Sequence, residues 1–196
     1  MKPALIIMEG AQGVGKTTLT DYIRNSLPYT NLYRLSGHSD SSEQGYFKSK
    51  KVFDALLQYV KQLENCDVNL LFDRTFFSEE VYTRLGYKEY SFTPLYKEYL
   101  QQLNSLDYDI YFIVLYLKDV ELFKQRLNRE GKAKVDYAKF DISNSIKQQN
   151  MYLTIADEIE KGGYDNIKVI RLATDEEHEV KKAISDMFWN NKEENE

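Results

Sequence analysis

Eight consecutive residues near the start of the chain, Gly10-Ala11-Gln12-Gly13-Val14-Gly15-Lys16-Thr17, satisfy the pattern G-x-x-x-x-G-K-[ST]. Each fixed position has a chemical reason. Glycines allow the backbone turns that aim successive N–H groups at one anion. A helix starting at the lysine adds the positive end of its dipole. Lys16 supplies an ammonium for the terminal phosphates of a nucleoside triphosphate, and the Thr17 hydroxyl suits Mg²⁺, with Thr18 beside it. The expected ligands are therefore ATP, held by residues 10–18, and Mg²⁺. The mechanism needs a buried strand before the motif and a helix after it, and both are expected here, from Ala4 to Met8 and from Lys16 to Leu27.

A second group follows the apolar run Val68 to Phe72. Asp73, Arg74 and Thr75 place a carboxylate, a guanidinium and a hydroxyl where a strand ends, the position at which open α/β sheets bind ligands. Asp73 is a candidate second Mg²⁺ group. Arg74 is a candidate phosphate holder, since its planar fork can meet two oxygens at once. The alternative is that Asp73 caps the next helix and Arg74 makes a surface ion pair. A basic stretch further on, with Arg126, Arg129, Lys132 and Lys134 around Gly131, offers mobile positive charge or a solvated helix end.

The elements that must position these groups alternate along the chain. Strands are expected at Ala4 to Met8, Asn31 to Leu35, Val68 to Phe72, Ile110 to Leu117 and Ile167 to Leu172. Helices are expected at Lys16 to Leu27, Lys51 to Glu64, Thr75 to Leu85, from Thr93-Pro94 with the Thr93 hydroxyl as cap, at Val120 to Arg129, at Ile142 to Glu160 and at Asp175 to Trp189. Ser36 to Gly45 reads as a polar loop. The pattern is that of an α/β fold with a parallel sheet, one domain over residues 1–190 and a frayed polar tail over 191–196.

Bulk composition narrows the function classes. Net charge is −5 over 196 residues, against a stable nucleic-acid partner, because such binding runs on neutralising phosphates with Lys and Arg. No run approaches the length of a membrane span, and Ala4 to Met8 is too short for the core of a secretory signal. A lone cysteine, Cys66, fits a reducing cytoplasm. His38 and His178 have no partner spaced for a metal site or triad. Among 16 tyrosines, a dense aromatic run after Arg74 includes Phe77 and Tyr82. Most of these rings are expected in the core, with a minority, and Phe47 opposite, available to a base.

Ile7-Met8-Glu9-Gly10, leading into Gly13-Val14-Gly15-Lys16-Thr17-Thr18, and then Asp73-Arg74-Thr75, resembles the thymidylate kinase and deoxynucleoside kinase group of P-loop enzymes. The resemblance implies a five-stranded parallel sheet of order 2-3-1-4-5 with a short lid over about residues 126–140. It implies transfer of a phosphoryl group from ATP to a deoxynucleoside monophosphate, in the manner of thymidylate kinases. Lys16, Asp73, Arg74, Arg126 and Arg129 would be the catalytic groups. Arg34, Phe47, Arg74, Phe77, Tyr82 and Tyr152 would hold the acceptor, Thr17 and Asp73 the metal, and the protein would be a homodimer. Two departures bear on the acceptor. Gln12 stands where thymidylate kinases often carry an acid, and Arg34-Leu35-Ser36-Gly37-His38 contains no glutamate where nucleoside kinases keep a general base. A nucleoside acceptor remains the alternative, and an ATPase or a non-catalytic ATP-binding module a further one. A GTPase is excluded by the missing N-K-x-D and by Phe76 where a glycine is required.

Overall fold

The computed structural model describes residues 2–35, 39–128 and 141–188. Five strands, β1 (Ala4–Gly10), β2 (Thr30–Arg34), β3 (Asn69–Asp73), β4 (Asp109–Tyr116) and β5 (Ile167–Ala173), form one parallel sheet in the order β2-β3-β1-β4-β5. The helices are α1 (Lys16–Ser26), α2 (Glu43–Gln62), α3 (Phe76–Arg84), α4 (Thr93–Asn104), α5 (Leu122–Leu127), α6 (Ile142–Lys161) and α7 (Glu177–Phe188).

Strand alternation divides the core. In β1, Leu5 and Ile7 face a cluster built with α2, α3, α4 and α6, whereas Ile6 and Met8 face α1 and α7. Both faces are covered, which is why the central strands read as unbroken apolar runs rather than alternating ones. The first cluster takes most of the aromatics: Phe76, Phe77, Phe92, Tyr96 and Tyr99 are all buried, with Phe76 and Phe77 stacked at 4.4 Å.

Two elements differ from expectation. Helix α2 begins eight residues before Lys51, at Glu43. Its first turns carry no run of aliphatic residues, and Gly45 marks them as loop in sequence. The glycine is there because a Cβ would stand 2.1 Å from the carbonyl oxygen of Asp40. At α4, Thr93 is the first helical residue rather than the cap, and its hydroxyl donates to Glu80 at 2.8 Å. Helix α6 starts as expected at Ile142, with Asp141 accepting from the Asn144 amide at 2.6 Å, and stops before Gly162-Gly163, where Gly163 has φ +73°.

Candidate functional site

The cradle grows out of β1. Gly10, at φ +147°, ends the strand, and a Cβ there would meet the Leu115 carbonyl oxygen at 2.7 Å. Gly15, at φ +91°, precedes α1 directly, a left-handed position that suits glycine. Ala11 and Val14 anchor the loop in the core, while Gln12 and Gly13 are half-buried. Lys16 is 8% exposed, and its Nζ donates to the carbonyls of Gly10 and Ala11 at 2.8 Å each, which sets the ammonium across the mouth of the loop. Thr17 and Thr18 are exposed on the first turn of α1.

The second group stands beside it because β3 pairs with β1, with Met8 opposite Asp73. Asp73 is buried. The chain then turns sharply: Arg74 adopts φ +74°, a conformation that non-glycine residues rarely hold. Two bonds to β1 hold it, Arg74 N–H to the Met8 carbonyl at 3.1 Å and Thr75 N–H to Glu9 Oε1 at 2.7 Å. The turn carries the guanidinium of Arg74, which lies over the Tyr82 ring at 6.0 Å. Among the described residues its hydrogen bond is to the Tyr82 hydroxyl, so most of its five N–H groups stay available.

Glu9 is a site residue that sequence reasoning missed. It is fully buried, accepting from Thr75 N–H, from the Thr75 hydroxyl at 3.2 Å and, through Oε2, from Ser78 at 2.7 Å. Because Ser78 gives its proton to Glu9, the Tyr152 hydroxyl donates to Ser78 across 2.7 Å. Burial pushes the Glu9 carboxyl up to about 7, against the opposing pull of Ser78, Arg74, Thr75 and Lys16. Burial also raises the Tyr152 hydroxyl well above its ordinary value and keeps it neutral. The signal was present in sequence, since a lone acid in a strand buried on both faces must find partners.

The other expected residues are placed unevenly. Arg34, 45% exposed in its side chain, pairs with Asp21 at 2.5 Å and lies 3.8 Å from Asp73. Tyr82 is partly exposed beside Arg74, and Phe47 is exposed on α2 against Tyr46. Phe77, expected to touch the acceptor, lies instead in the core between Phe76 and Phe112, its ring fully covered. Tyr152 is equally buried, behind Ser78, so it reaches the site through that hydroxyl rather than by its ring. Arg126 lies against the loop itself. Its guanidinium donates to the Thr174 carbonyl at 2.5 Å and to the Thr174 hydroxyl at 3.2 Å, with the Gly13 carbonyl at 3.5 Å. Thr174, also missed in sequence, donates to the Val14 carbonyl at 2.7 Å and ties the loop to the end of β5. Arg129, Lys132, Lys134 and most of the expected lid lie outside the described residues.

Mg²⁺ commonly takes one or two protein oxygens, with water and phosphate completing its shell. Among the described residues no cluster of three His, Cys, Asp or Glu side chains forms a protein cage. The exposed Thr17 hydroxyl, on the first turn of α1, and the Asp73 carboxylate, at the end of β3, are the oxygens that such a sparse mode would use.

No protein family model and no curated protein matches the chain. Solved structures do. Thymidylate kinase from Candida albicans superposes with a TM-score of 0.67 at 17% identity, covering 97% of this chain and 93% of that one. The YorR protein from Bacillus subtilis, in complex with phosphorylated GDP, gives 0.64 at 17% identity with 98% of each chain covered. Deoxyadenosine kinase from M. mycoides gives 0.58 at 16% identity, covering 93% of this chain and 97% of that one. With the strand order β2-β3-β1-β4-β5 and the cradle at the end of β1, this chain has the fold of the P-loop nucleotide and nucleoside kinases.

Proposed function

We propose that the protein transfers the terminal phosphoryl group of ATP to the phosphate of a deoxynucleoside monophosphate. One observation carries the choice of acceptor. Arg74 is held by β1 in a strained backbone conformation, beside Asp73, with most of its N–H groups unspent among the described residues. Strain of this kind, about 1–3 kcal/mol, persists where surrounding structure over-determines it, and such positions cluster at functional sites. A forked cation held there suits an acceptor that already carries a phosphate.

The residues divide the work. The loop amides of residues 10–17 and the Lys16 ammonium bind the triphosphate tail of ATP, and Arg74 orients the acceptor phosphate. Bound Mg²⁺, held by Thr17 and Asp73, would neutralise charge on the phosphates. An acceptor phosphate oxygen attacks the γ-phosphorus as the bond to the β–γ bridging oxygen breaks, and ADP leaves with that oxygen's electron pair. The attacking oxygen has no proton to lose, so no general base is needed, whereas a nucleoside hydroxyl would require one. Positioning and charge do nearly all of this chemistry.

The test is to incubate the protein with Mg·ATP and, separately, each deoxynucleoside and deoxynucleoside monophosphate, then weigh the products. A monophosphate gaining one phosphate supports the reading. Phosphorylation of nucleosides alone would move the acceptor one step back, and ADP release without any acceptor product would make the protein an ATPase.

A further inference from the structure

The guanidinium of Arg34 is shared between two acids, and shared unequally. In the β2–β3 register Arg34 stands directly opposite Asp73. Its Nε lies 3.8 Å from Asp73 Oδ2, close enough for an ion pair and too far for a hydrogen bond. The short contact goes the other way. One terminal nitrogen donates to Asp21 on α1 at 2.5 Å and to the Thr20 hydroxyl at 3.5 Å. Thr20 is buried, and its hydroxyl donates in turn to the Thr17 carbonyl at 3.1 Å. Thr17, Thr20 and Asp21 are three and four positions apart and so share one face of α1. Arg34 thus meets the strand end that carries one proposed metal oxygen and the helix face that carries the other.

The two acids differ in what they lose without Arg34. The Asp73 side chain is only 10% exposed, and a carboxylate so enclosed needs a positive charge nearby. Asp21, 51% exposed in its side chain, is solvated with or without a partner. Arginine keeps its charge at any ordinary pH, so Arg34 cannot neutralise itself when a second cation comes to Asp73. Two cations on one carboxylate repel, and Mg²⁺, doubly charged and selective for oxygen, makes the stronger claim. Asp21 gives the guanidinium a place to go, because the bond that would hold it there already exists.

We propose that Arg34 is the resting counter-ion of Asp73, that it cedes this carboxylate to Mg²⁺ and withdraws onto Asp21, and that it thereby lowers the affinity of the site for the metal. The inference rests on the proposed placing of Mg²⁺ at Thr17 and Asp73. It makes Arg34 a positioning residue of the metal site rather than a ligand of the acceptor phosphate, the role that the sequence resemblance implied. Asp21, which no motif marks, becomes part of the same exchange.

The experiment uses the full chain and a non-hydrolysable imido analogue of ATP, without acceptor. Calorimetry measures its affinity with Mg²⁺ and with EDTA, and the ratio is the tightening that the metal brings. Arg34→Gln should increase this tightening at least threefold. Asp21→Asn, which removes the place of withdrawal, should reduce it at least twofold, and Asp73→Asn at least threefold. In the double variant Arg34→Gln/Asp73→Asn the gain from Arg34→Gln should vanish, because the pair is gone, whereas a mere change of surface charge would persist. An unchanged or smaller tightening in Arg34→Gln overturns the proposal, and so does a gain that survives in the double variant. If Arg34→Gln does not fold, Asp21→Asn decides alone, and an unchanged or larger tightening there overturns it. Full tightening in Asp73→Asn removes the metal from Asp73 and the proposal with it. The expected shifts in a protein that phosphorylates no acceptor would instead sink the kinase reading and leave the role of Arg34 standing.

Discussion

Replacing Glu9 by Gln isolates the one buried charge that joins the two halves of the site. Glutamine fills the same volume, can still accept from Thr75 N–H, and turns its amide toward Ser78, whose hydroxyl can accept from it. What disappears is the titration. The carboxyl sits at about 7 in the fold against 4.5 in the open chain, so the folded state binds its proton more tightly than the unfolded state does. Stability from this group is therefore fully present below about 4.5 and is lost as pH rises through about 7. The full difference is roughly 3 kcal/mol, and most of it falls between pH 8 and pH 5. For a chain of this size that amounts to roughly 5–10 °C in melting temperature. The assay is thermal or urea unfolding of wild type and Glu9→Gln across that range. Every other titrating group is common to both proteins and cancels in the difference, so the slopes carry the answer and the absolute level does not. Wild type should gain stability on acidification relative to the variant. Parallel profiles from pH 8 to pH 5 would refute the reasoning, because they would mean that Glu9 keeps its charge at no cost.

Three further substitutions probe the rest of the site. Arg74→Lys keeps the charge and removes the fork, so kcat/KM for a monophosphate acceptor should fall about 10- to 100-fold with little change in ATP binding; an equal loss in both would place Arg74 on the ATP side. Arg126→Ala should raise KM for ATP more than it lowers kcat, because its guanidinium braces the Thr174 carbonyl and the Gly13 carbonyl of the loop; a fall in kcat alone would place it in the transfer step instead. Gly10→Ala forces a Cβ to 2.7 Å from the Leu115 carbonyl at φ +147° and should cost about 2–5 kcal/mol in urea unfolding, a loss that near-wild-type stability would contradict.

The parts of this site legible in sequence are those fixed by local backbone chemistry. The cradle is a pattern of glycines with a lysine, and the five strands are apolar runs whose edges fall within one or two residues of the expected ones. Long-range contacts decided the rest. Nothing local tells that Arg74 turns left-handed, since that conformation is imposed by Met8 and Glu9, more than sixty residues away. Phe77 was misplaced because a helix next to a binding site is expected to have a solvent face. Instead α3 is buried continuously from Phe76 to Val81, wedged among the sheet, α2, α4 and α6, and so shows no polar stripe to read. The first turns of α2 were hidden by Gly45, whose reason lies in the Asp40 carbonyl rather than in its own segment.

Glu9 and Gly10 are adjacent, and in the proposed transfer that adjacency would set the geometry. In a strand, successive residues point to opposite faces. Glu9 reaches across the sheet to Thr75 and Ser78, while Gly10 turns the chain into the cradle. The carboxylate thus anchors the turn that carries Arg74, and the next peptide begins the loop that is to carry ATP. Ser78 passes the anchor on to Tyr152 of α6, so β1, the β3–α3 turn, α3 and α6 share one hydrogen-bonded frame. Phosphoryl transfer depends on in-line placement, where an error near 1 Å can cost about 100-fold. A frame that fixes the cradle loop and the arginine proposed to hold the acceptor through neighbouring residues of a single buried strand leaves little slack for such an error. The enclosed acid at position 9 is what makes that connection, and a purely apolar β1 would hold the sheet together without it.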